Sequence, residues 1–231
     1  MTFTFDDFPR SALTTGASII ERFGGRATYY VAMGLMGTCN RLGEQFQFAD
    51  LVSLVERDHE VASHTFSHLS AQATPFEAFS RDVDHGEGSI REALMGTRVN
   101  NFAYPYGEVT LTAKRRLGPR MQSCRGTLSG LNGPEVDLNL LRANSLYGNI
   151  EQAESAKRLV LENEKRQSWL IFYSHDVTES PSPFGCTPEL LEAVVSFVSD
   201  RGAKILTVAE VVSNLVPIPR PDPAEGHSAQ S

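Results

Sequence analysis

Two adjacent carboxylates near the start of the chain are the first residues whose type and spacing could support hydrolytic chemistry. Asp6 and Asp7 follow the apolar and β-branched run Thr2 to Phe5, which predicts that they lie at the carboxyl end of a strand. A carboxylate pair at such a place can bind a metal ion with one side chain and abstract a proton with the other. The same pair could instead form a turn or cap a helix before Pro9.

Two histidines, His64 and His68 in the segment HTFSH, are four positions apart. On a helix this spacing places both imidazoles on one face, about one turn apart, where both can reach a single cation. A solvent-exposed helix face is the alternative interpretation. A carboxylate at the end of a neighbouring strand favours the metal, because two histidines and one carboxylate form a facial metal site with open positions.

Two further segments place polar groups at strand ends. The block FAYPYG, Phe102 to Gly107, combines a proline that fixes the backbone with a glycine that permits a sharp turn. It could hold a backbone N–H towards a pocket or simply connect a strand to a helix. His175 ends the apolar run WLIFYSH and could be catalytic or a buried structural residue. Four predicted strand ends thus carry the candidate site residues, which are Asp6, Asp7, His64, His68, Tyr106 and His175.

The elements that position these residues alternate between strands and helices. Apolar and β-branched runs predict strands at 2–5, 26–32, 60–64, 100–104, 121–125, 141–145, 169–174 and 203–206. Apolar residues three, four or seven apart predict helices over 48–55, 76–94, 150–167 and 188–201, the last with Thr187 as its N-cap.

This alternation predicts an α/β fold, a single-domain deformed (β/α) barrel of seven to eight βα units over residues 1–216. A doubly wound sheet is disfavoured because no glycine-rich phosphate turn follows a strand. Residues 217–231 are proline-rich and lack apolar periodicity, which predicts a disordered tail. Because the carboxyl ends of barrel strands converge, we expect the candidate residues to form one site.

The order and spacing of these motifs resemble the polysaccharide deacetylases of carbohydrate esterase family four. That group includes the chitooligosaccharide deacetylases of nodulation-factor synthesis. The first motif of the family, TFDD, matches Thr4 to Asp7, and the second, H(S/T)xxH, matches His64 to His68. The third matches Tyr104 to Gly107, and the fifth, an apolar strand ending in histidine, matches Ile171 to His175.

The resemblance implies a metal-dependent hydrolase that removes acetyl groups from N-acetylated carbohydrate, either oligosaccharide or polysaccharide. Asp7, His64 and His68 would bind the divalent ion. Zinc is the expected ion, with cobalt and nickel as alternatives.

The resemblance also implies a role for each remaining motif residue. Asp6 would be the general base, His175 the general acid, and Tyr106 would offer its backbone N–H to the oxyanion. The turn around Tyr106 would contact the substrate through Tyr104, Pro105 and Gly107.

Two features depart from the family pattern. Ala103 and Tyr104 stand where an arginine that pairs with the base aspartate is expected. Arg142, in the run LLRANSL, is the predicted replacement that tethers Asp6, and Arg125 is the second candidate.

The fourth motif of the family, an aspartate with tryptophan that orients the acid histidine, is not recognisable. Asp137 is a candidate substitute. Asp176 is expected to turn outward, because it is adjacent to His175.

Composition and charge limit the partners and the compartment. The net charge is −7 without a basic stripe, which disfavours a nucleic acid or an anionic membrane as a partner. The cysteines, Cys39, Cys124 and Cys186, are odd in number and widely spaced, which predicts free thiols in a reducing compartment. We therefore expect a cytoplasmic protein without a membrane span, although a leader could precede a strand that begins at Thr2.

Three alternative functions remain at this point. The same metal site could hydrolyse a non-sugar amide, since no sugar subsite is recognisable. A glycan-binding module that has lost turnover is a second alternative, and the displaced arginine is its only support. An iron oxygenase is disfavoured, because Asp6 and His175 would have no acid-base task there.

Overall fold

Short apolar segments pair in parallel to form the central sheet of the computed structural model, which describes residues 1–215. In chain order the strands are β1 (Thr2–Asp7), β2 (Thr28–Val31), β3 (Cys39–Asn40), β4 (Gly43–Glu44), β5 (Glu60–Ser63), β6 (Asn101–Ala103), β7 (Ser123–Arg125), β8 (Asn144–Ser145) and β9 (Ile171–Ser174). Seven of them form one sheet in the order β7-β6-β5-β2-β1-β9-β8, and β3 and β4 form a separate antiparallel hairpin. The predicted tail, residues 217–231, lies outside the described residues.

The segment between β7 and β8 brings the two edges of this sheet together. The amide of Cys124 in β7 donates to the carbonyl of Leu138 at 2.7 Å, and the amide of Leu141 donates to the carbonyl of Cys124 at 2.8 Å. A few residues further on, Asn144 and Ser145 pair with β9. The sheet therefore curls on itself, and the predicted deformed (β/α) barrel is confirmed, with seven strands.

Helices connect the strands and cover the outside of the barrel. They are α1 (Ser18–Arg22), α2 (Phe48–Glu56), α3 (Phe76–Ala93), α4 (Leu111–Leu117), α5 (Ala153–Arg166), α6 (Pro188–Asp200) and α7 (Val208–Leu215). The four predicted helices are confirmed as α2, α3, α5 and α6, and Thr187 caps α6 by accepting from the amide of Leu190. The pattern does not predict α1, α4 and α7, which are too short for an apolar period to stand out. Within residues 1–215 no helix is long and apolar enough to cross a bilayer.

Side chains alternate along each strand between the helices outside and the interior of the barrel. Phe3 and Phe5 of β1 point outward into a core cluster that also contains residues of α1 and α6. Tyr30, Ala62 and Ala103, from β2, β5 and β6, point inward and share a second cluster. The inward-facing positions at the carboxyl ends of the strands therefore meet at one end of the barrel.

The opposite end of the barrel is closed by α7. Val208 and Val212 of this helix pack among the interior side chains. The partly buried carboxylate of Glu60 accepts from the amide of Ala209 at 2.9 Å and from the hydroxyl of Thr28 at 2.8 Å. The start of α7 is thus fixed to β2 and β5 at the end of the barrel opposite the carboxyl ends of the strands.

The predicted eighth strand, residues 203–206, is wrong. The amide of Leu206 donates to the carbonyl of Met1 at 2.9 Å, and the amide of Arg26 donates to the carbonyl of Ile205 at 3.3 Å. The terminal amine of Met1 also donates to the carbonyl of Lys204 at 2.8 Å. These bonds join the segment to the starts of β1 and β2, but the segment is not a strand of the sheet. The segment crosses beneath the barrel towards α7, so its apolar residues serve packing at this end and not strand pairing.

Candidate active site

A left-handed turn at the end of β1 brings two adjacent carboxylates to the same cleft. Asp6 faces the interior of the barrel, and strand alternation by itself would send Asp7 to the outside. Asp7 and Phe8 instead have φ angles of 64° and 73°, which residues other than glycine adopt only when surrounding contacts enforce them. Phe8 supplies such a contact by stacking on Phe46, with ring centroids 4.9 Å apart.

His64 and His68 lie on a loop after β5. The prediction of a helical face is therefore wrong, because Thr65 and His68 have φ angles of 65° and 56°. The carboxylate of Asp82 in α3 holds this loop by accepting from the amide of Ser67 at 2.9 Å. The two imidazoles nevertheless meet, with ring centroids 4.9 Å apart. Sequence reasoning missed Asp82, which no motif identifies.

Asp7, His64 and His68 form a cluster whose ligand atoms all lie within 4.8 Å of one another. Nε2 of His68 is 3.1 Å and Nε2 of His64 is 3.6 Å from Oδ1 of Asp7. Nδ1 of His64 donates to the carbonyl of Ala103 at 2.8 Å, so the lone pair of the neutral ring is on the Nε2 that faces the cluster. This is the donor set of a facial metal site.

Burial sets the protonation states of this cluster. Burial lowers the pKa of His64 to about 3, and it lowers the pKa of His68 as well. Both rings are therefore neutral near pH 7, and their short distances to Asp7 are not ion pairs. Burial raises the pKa of Asp7 to about 6, against an opposing effect of His175. Oδ1 of Asp7 is buried without a hydrogen-bond donor among residues 1–215, and a divalent ion would compensate that unpaired oxygen.

Asp6 pairs with Arg125, a fully buried residue of β7. Nη2 of Arg125 donates to Oδ1 of Asp6 at 2.5 Å. The guanidinium lies over the rings of Tyr30 and Tyr173, at 4.8 and 5.2 Å from their centroids. Burial raises the pKa of Asp6, but Arg125 and the nearby histidines lower it by more, so the carboxyl stays below its ordinary pKa. Asp6 is therefore an ionised carboxylate held in one orientation.

Arg125 replaces the arginine that is absent from the third motif. In the pairing of β6 with β7, Arg125 is the direct partner of Ala103, the position at which that arginine is expected. The small Ala103 leaves the interior open, and the guanidinium reaches it from the next strand. The prediction that Arg142 tethers Asp6 is wrong, because Arg142 is exposed and donates to the carbonyl of Ser129 at 3.0 Å.

His175, directly after β9, faces the same cleft. Its Nδ1 is 3.0 Å from the carbonyl oxygen of Phe184. Because a carbonyl only accepts, Nδ1 carries the proton and Nε2 is the nitrogen left for the cleft. The prediction that Asp137 orients His175 is wrong, since Asp137 pairs with Lys114. The outward orientation predicted for Asp176 is also wrong, because this carboxylate is buried and bonded within the loop after β9.

The turn after β6 presents Tyr106 and Gly107 to the cleft. The amide of Gly107 donates to the carbonyl of Tyr104 at 2.8 Å, and Tyr106 has a φ of 61°. The ring of Tyr106 is 59% exposed and meets the ring of His68 edge-on, 4.5 Å away. The substrate contacts of Tyr104, Pro105 and Gly107 stay a prediction: Gly107 lines the cleft, whereas Tyr104 and Pro105 are buried beneath the turn.

These residues surround one cleft of about 250 Å³ at the carboxyl end of the barrel. Its base carries the two aspartates and three histidines described above, and its walls include Arg41, Tyr106, Tyr147, Tyr173 and Phe184. Arg41 lies at the tip of the β3–β4 hairpin, with its guanidinium 4.8 Å from the ring centroid of Phe184. Sequence reasoning missed Arg41, Tyr147 and Phe184, because loops carry no periodic signal.

Comparison with known families identifies this arrangement. Residues 1–119, more than half of the chain, match the family model described as polysaccharide deacetylase. The chain belongs to the polysaccharide deacetylase family. The protein is accordingly a metal-dependent hydrolase that removes acetyl groups from carbohydrate. No curated protein matches the chain significantly.

Solved structures share the fold of this polysaccharide deacetylase at low sequence identity. A family 4 acetyl xylan esterase from Clostridium thermocellum, in complex with a cobalt ion, is 20% identical, with a TM-score of 0.61 over 93% of this chain and 90% of its own. The peptidoglycan deacetylase PdaC from Bacillus subtilis is 15% identical, with a TM-score of 0.56 over 93% and 89% of the two chains. The Xyl-CE4 domain of a multidomain xylanase from the hindgut metagenome of Trinervitermes trinervoides is 18% identical, with a TM-score of 0.60 over 92% and 88%.

His68→Ala in this deacetylase is expected to lose most of the bound divalent ion, because it removes one of the three side chains of the candidate donor cluster. Metal analysis of dialysed wild type and variant measures the stoichiometry. In the wild type, occupancy is expected to decrease below about pH 6, since Asp7 becomes protonated there and a protonated carboxyl is a poor ligand. Equal stoichiometry in both proteins would contradict the ligand assignment.

Gly107→Ala is expected to displace the Tyr106 turn. Gly107 has a φ of 69°, and an added Cβ would overlap the side chain of Thr127. Gly24 is a matched control, with a φ of 72° and, among the described residues, no atom within 4 Å of an added Cβ. Gly24→Ala should destabilise the protein by about 1–2 kcal/mol through its left-handed backbone alone. Gly107→Ala should cost more and also reduce acetate release, and equal losses of stability in denaturant titrations would exclude the steric contribution.

Proposed function

We propose that this protein hydrolyses the acetamide group of an N-acetylated oligosaccharide or polysaccharide, with zinc bound by Asp7, His64 and His68. The observation that carries the proposal is the geometry of the cleft. A facial donor set shares the cleft with an ionised carboxylate, Asp6, and with a histidine, His175, whose Nε2 is left for the cleft. Metal-assisted hydrolysis of an amide uses these three elements together.

The donor set fits a divalent ion of the zinc type. Two neutral imidazoles and a carboxylate are preferred by zinc and also accepted by cobalt and nickel. When bound, the ion supplies a Lewis acid for the acetyl oxygen and for the attacking water. The buried Oδ1 of Asp7 supports this assignment, since no group among the described residues donates a hydrogen bond to it.

The protein's own groups then divide the proton transfers. Asp6 takes the proton of the attacking water, and Arg125 keeps this carboxylate ionised and oriented. His175 acts here as an imidazolium: Nδ1 keeps its bond to the carbonyl of Phe184, and Nε2 gives its proton to the departing nitrogen, because an amine leaves poorly as an anion. The backbone N–H of Tyr106 lies in the turn that borders the cleft and stabilises the oxygen on which negative charge develops.

The choice of an amide over an ester rests on the pairing of a base with an acid. Related structures with this fold are named as acting on xylan acetyl esters and on peptidoglycan. An acid is needed most when the leaving group is an amine, and His175 provides one. The cytoplasmic location stays a prediction, supported by free cysteines at positions 39, 124 and 186.

A substrate panel tests the proposal. Zinc-loaded protein is incubated with N-acetylated oligosaccharides, with their O-acetylated counterparts and with small non-sugar acetamides, and released acetate is measured. We expect release from the N-acetylated sugars and none after removal of the metal. Release from the non-sugar amides alone would favour the alternative amide hydrolase. Glycan binding without any release would favour the binding module.

A further inference from the structure

The acid histidine of this deacetylase is oriented by a main-chain carbonyl and not by a carboxylate. Nδ1 of His175 donates to the carbonyl oxygen of Phe184, and within residues 1–215 no carboxylate is hydrogen-bonded to the ring. Phe184 lies in a loop outside the strands, so this carbonyl is placed only as well as the loop is fixed. The orientation of His175 therefore depends on what holds residues 182–185.

Asp176 holds this loop from beneath. Its side chain is only 3% exposed, and it accepts from the amide of Ser182 at 2.8 Å and from the hydroxyl of Ser182 at 2.5 Å. The same hydroxyl oxygen accepts from the amide of Phe184 at 3.2 Å. The chain of contacts runs from the carboxylate through Ser182 to the residue whose carbonyl meets His175.

Two further contacts keep the loop on this carboxylate. Gly185 packs so closely that an added Cβ would overlap the carboxylate and the carbonyl of Asp176. The amide of Cys186 donates to the carbonyl of Asp176 at 2.9 Å, which closes the loop. On the cleft side, the guanidinium of Arg41 covers the ring of Phe184.

We propose that Asp176 is a positioning residue for the general acid, acting through Ser182 and the carbonyl of Phe184. A carboxylate that bonded Nδ1 directly would also stabilise the charged imidazolium, whereas a neutral carbonyl fixes the tautomer and the ring orientation. In this chain the carboxylate of Asp176 does not bond the ring of His175, and it fixes instead the loop whose carbonyl does. The inference rests on the proposed role of His175 as the acid.

The test compares two substrates that differ in their need for an acid. An N-acetylated oligosaccharide releases an amine that must be protonated, whereas para-nitrophenyl acetate releases a phenolate that leaves without a proton. Asp176→Ala should lower kcat/KM for the acetamide relative to the ester by about ten- to a hundred-fold, the scale of a misplaced catalytic group. The ratio of the two rates is the readout, because a loss of folded or metal-loaded protein lowers both rates equally.

Two companion variants keep the result interpretable. Ser182→Ala removes the hydroxyl that links Asp176 to Phe184 while leaving the buried carboxylate in place, and it should shift the ratio in the same direction. It replaces Asp176→Ala as the test if that variant folds poorly. Asp50→Ala is the matched control, because Asp50 is also a buried carboxylate that accepts a backbone amide, from Gln47 at 2.8 Å, but it caps α2 outside the cleft. The ratio should not change in Asp50→Ala.

His175→Ala separates failure of this inference from failure of the proposed function. If His175→Ala lowers the ratio and neither Asp176→Ala nor Ser182→Ala does, the positioning role is overturned and the acid stands. If His175→Ala leaves the ratio unchanged, the acid assignment itself fails, and the inference fails with it. A lower ratio in all three variants, with an unchanged ratio in Asp50→Ala, supports the positioning role of Asp176.

Discussion

Asp6→Asn is expected to reduce acetate release by about 100- to 10,000-fold while the divalent ion stays bound. The substitution removes the group that takes the proton of the attacking water. Asparagine keeps the size of the side chain, and its amide oxygen can still accept from Arg125. Metal content should not change, because Asp6 is outside the cluster formed by Asp7, His64 and His68. Turnover assays and metal analysis on the same preparation measure both effects.

Asp7→Asn is the matched control, since it makes the same change at the adjacent residue. It should lose both metal and turnover, because a neutral amide is a weaker ligand than a carboxylate. Metal retained in Asp7→Asn and lost in Asp6→Asn would mean that the two roles are reversed. Full activity in Asp6→Asn would exclude it as the base.

The residues of the site could be predicted because each of them lies in a short motif next to the strand that positions it. The run TFTFDD and the run LIFYSH each read as a buried strand that ends in a titratable group. Parallel pairing of β1 with β9 then brings Asp6 and His175 to the same end of the barrel. Local patterns were sufficient for this step, since both the strand and its polar end lie within a few residues.

The conformations that aim these residues could not be predicted. Asp7 and His68 are left-handed, with φ angles of 64° and 56°, and this backbone is enforced by distant contacts such as Phe8 on Phe46. The i, i+4 spacing of the histidines indicated a helix, because residues four apart lie on one helix face. Here the two histidines lie instead on a loop that is bonded to Asp82.

The choice between Arg125 and Arg142 depended on the barrel and not on local sequence. Both arginines follow the third motif in the chain and lie in or beside a short strand, Arg125 at the end of β7 and Arg142 just before β8. Only the register of β6 with β7, which sets Arg125 beside Ala103, decides which guanidinium enters the interior. A long-range pairing of this kind leaves no trace in a single sequence.

Arg125→Met is expected to abolish most activity and to destabilise the fold, for one reason. It leaves the carboxylate of Asp6 buried without its partner, and breaking a buried pair in this way costs about 3–5 kcal/mol. The pKa of Asp6 should rise, since burial raises it and Arg125 no longer opposes that effect. A base must be deprotonated to act, so the acidic limb of any residual rate should move to higher pH. Arg125→Lys should rescue poorly, because an ammonium cannot present the planar fork of a guanidinium.

Two further variants separate the tether from general damage to the fold. Arg142→Ala should retain normal stability, rate and pH profile, because its guanidinium is exposed and bonds only the carbonyl of Ser129. Adding Asp6→Asn to Arg125→Met should restore much of the lost stability, since no buried charge is then left unpaired, while activity stays absent. Denaturant titrations of the two single variants and the double variant measure this coupling. Additive losses of stability would show that Asp6 and Arg125 do not act as a pair, and an impaired Arg142→Ala would return the tether to that residue.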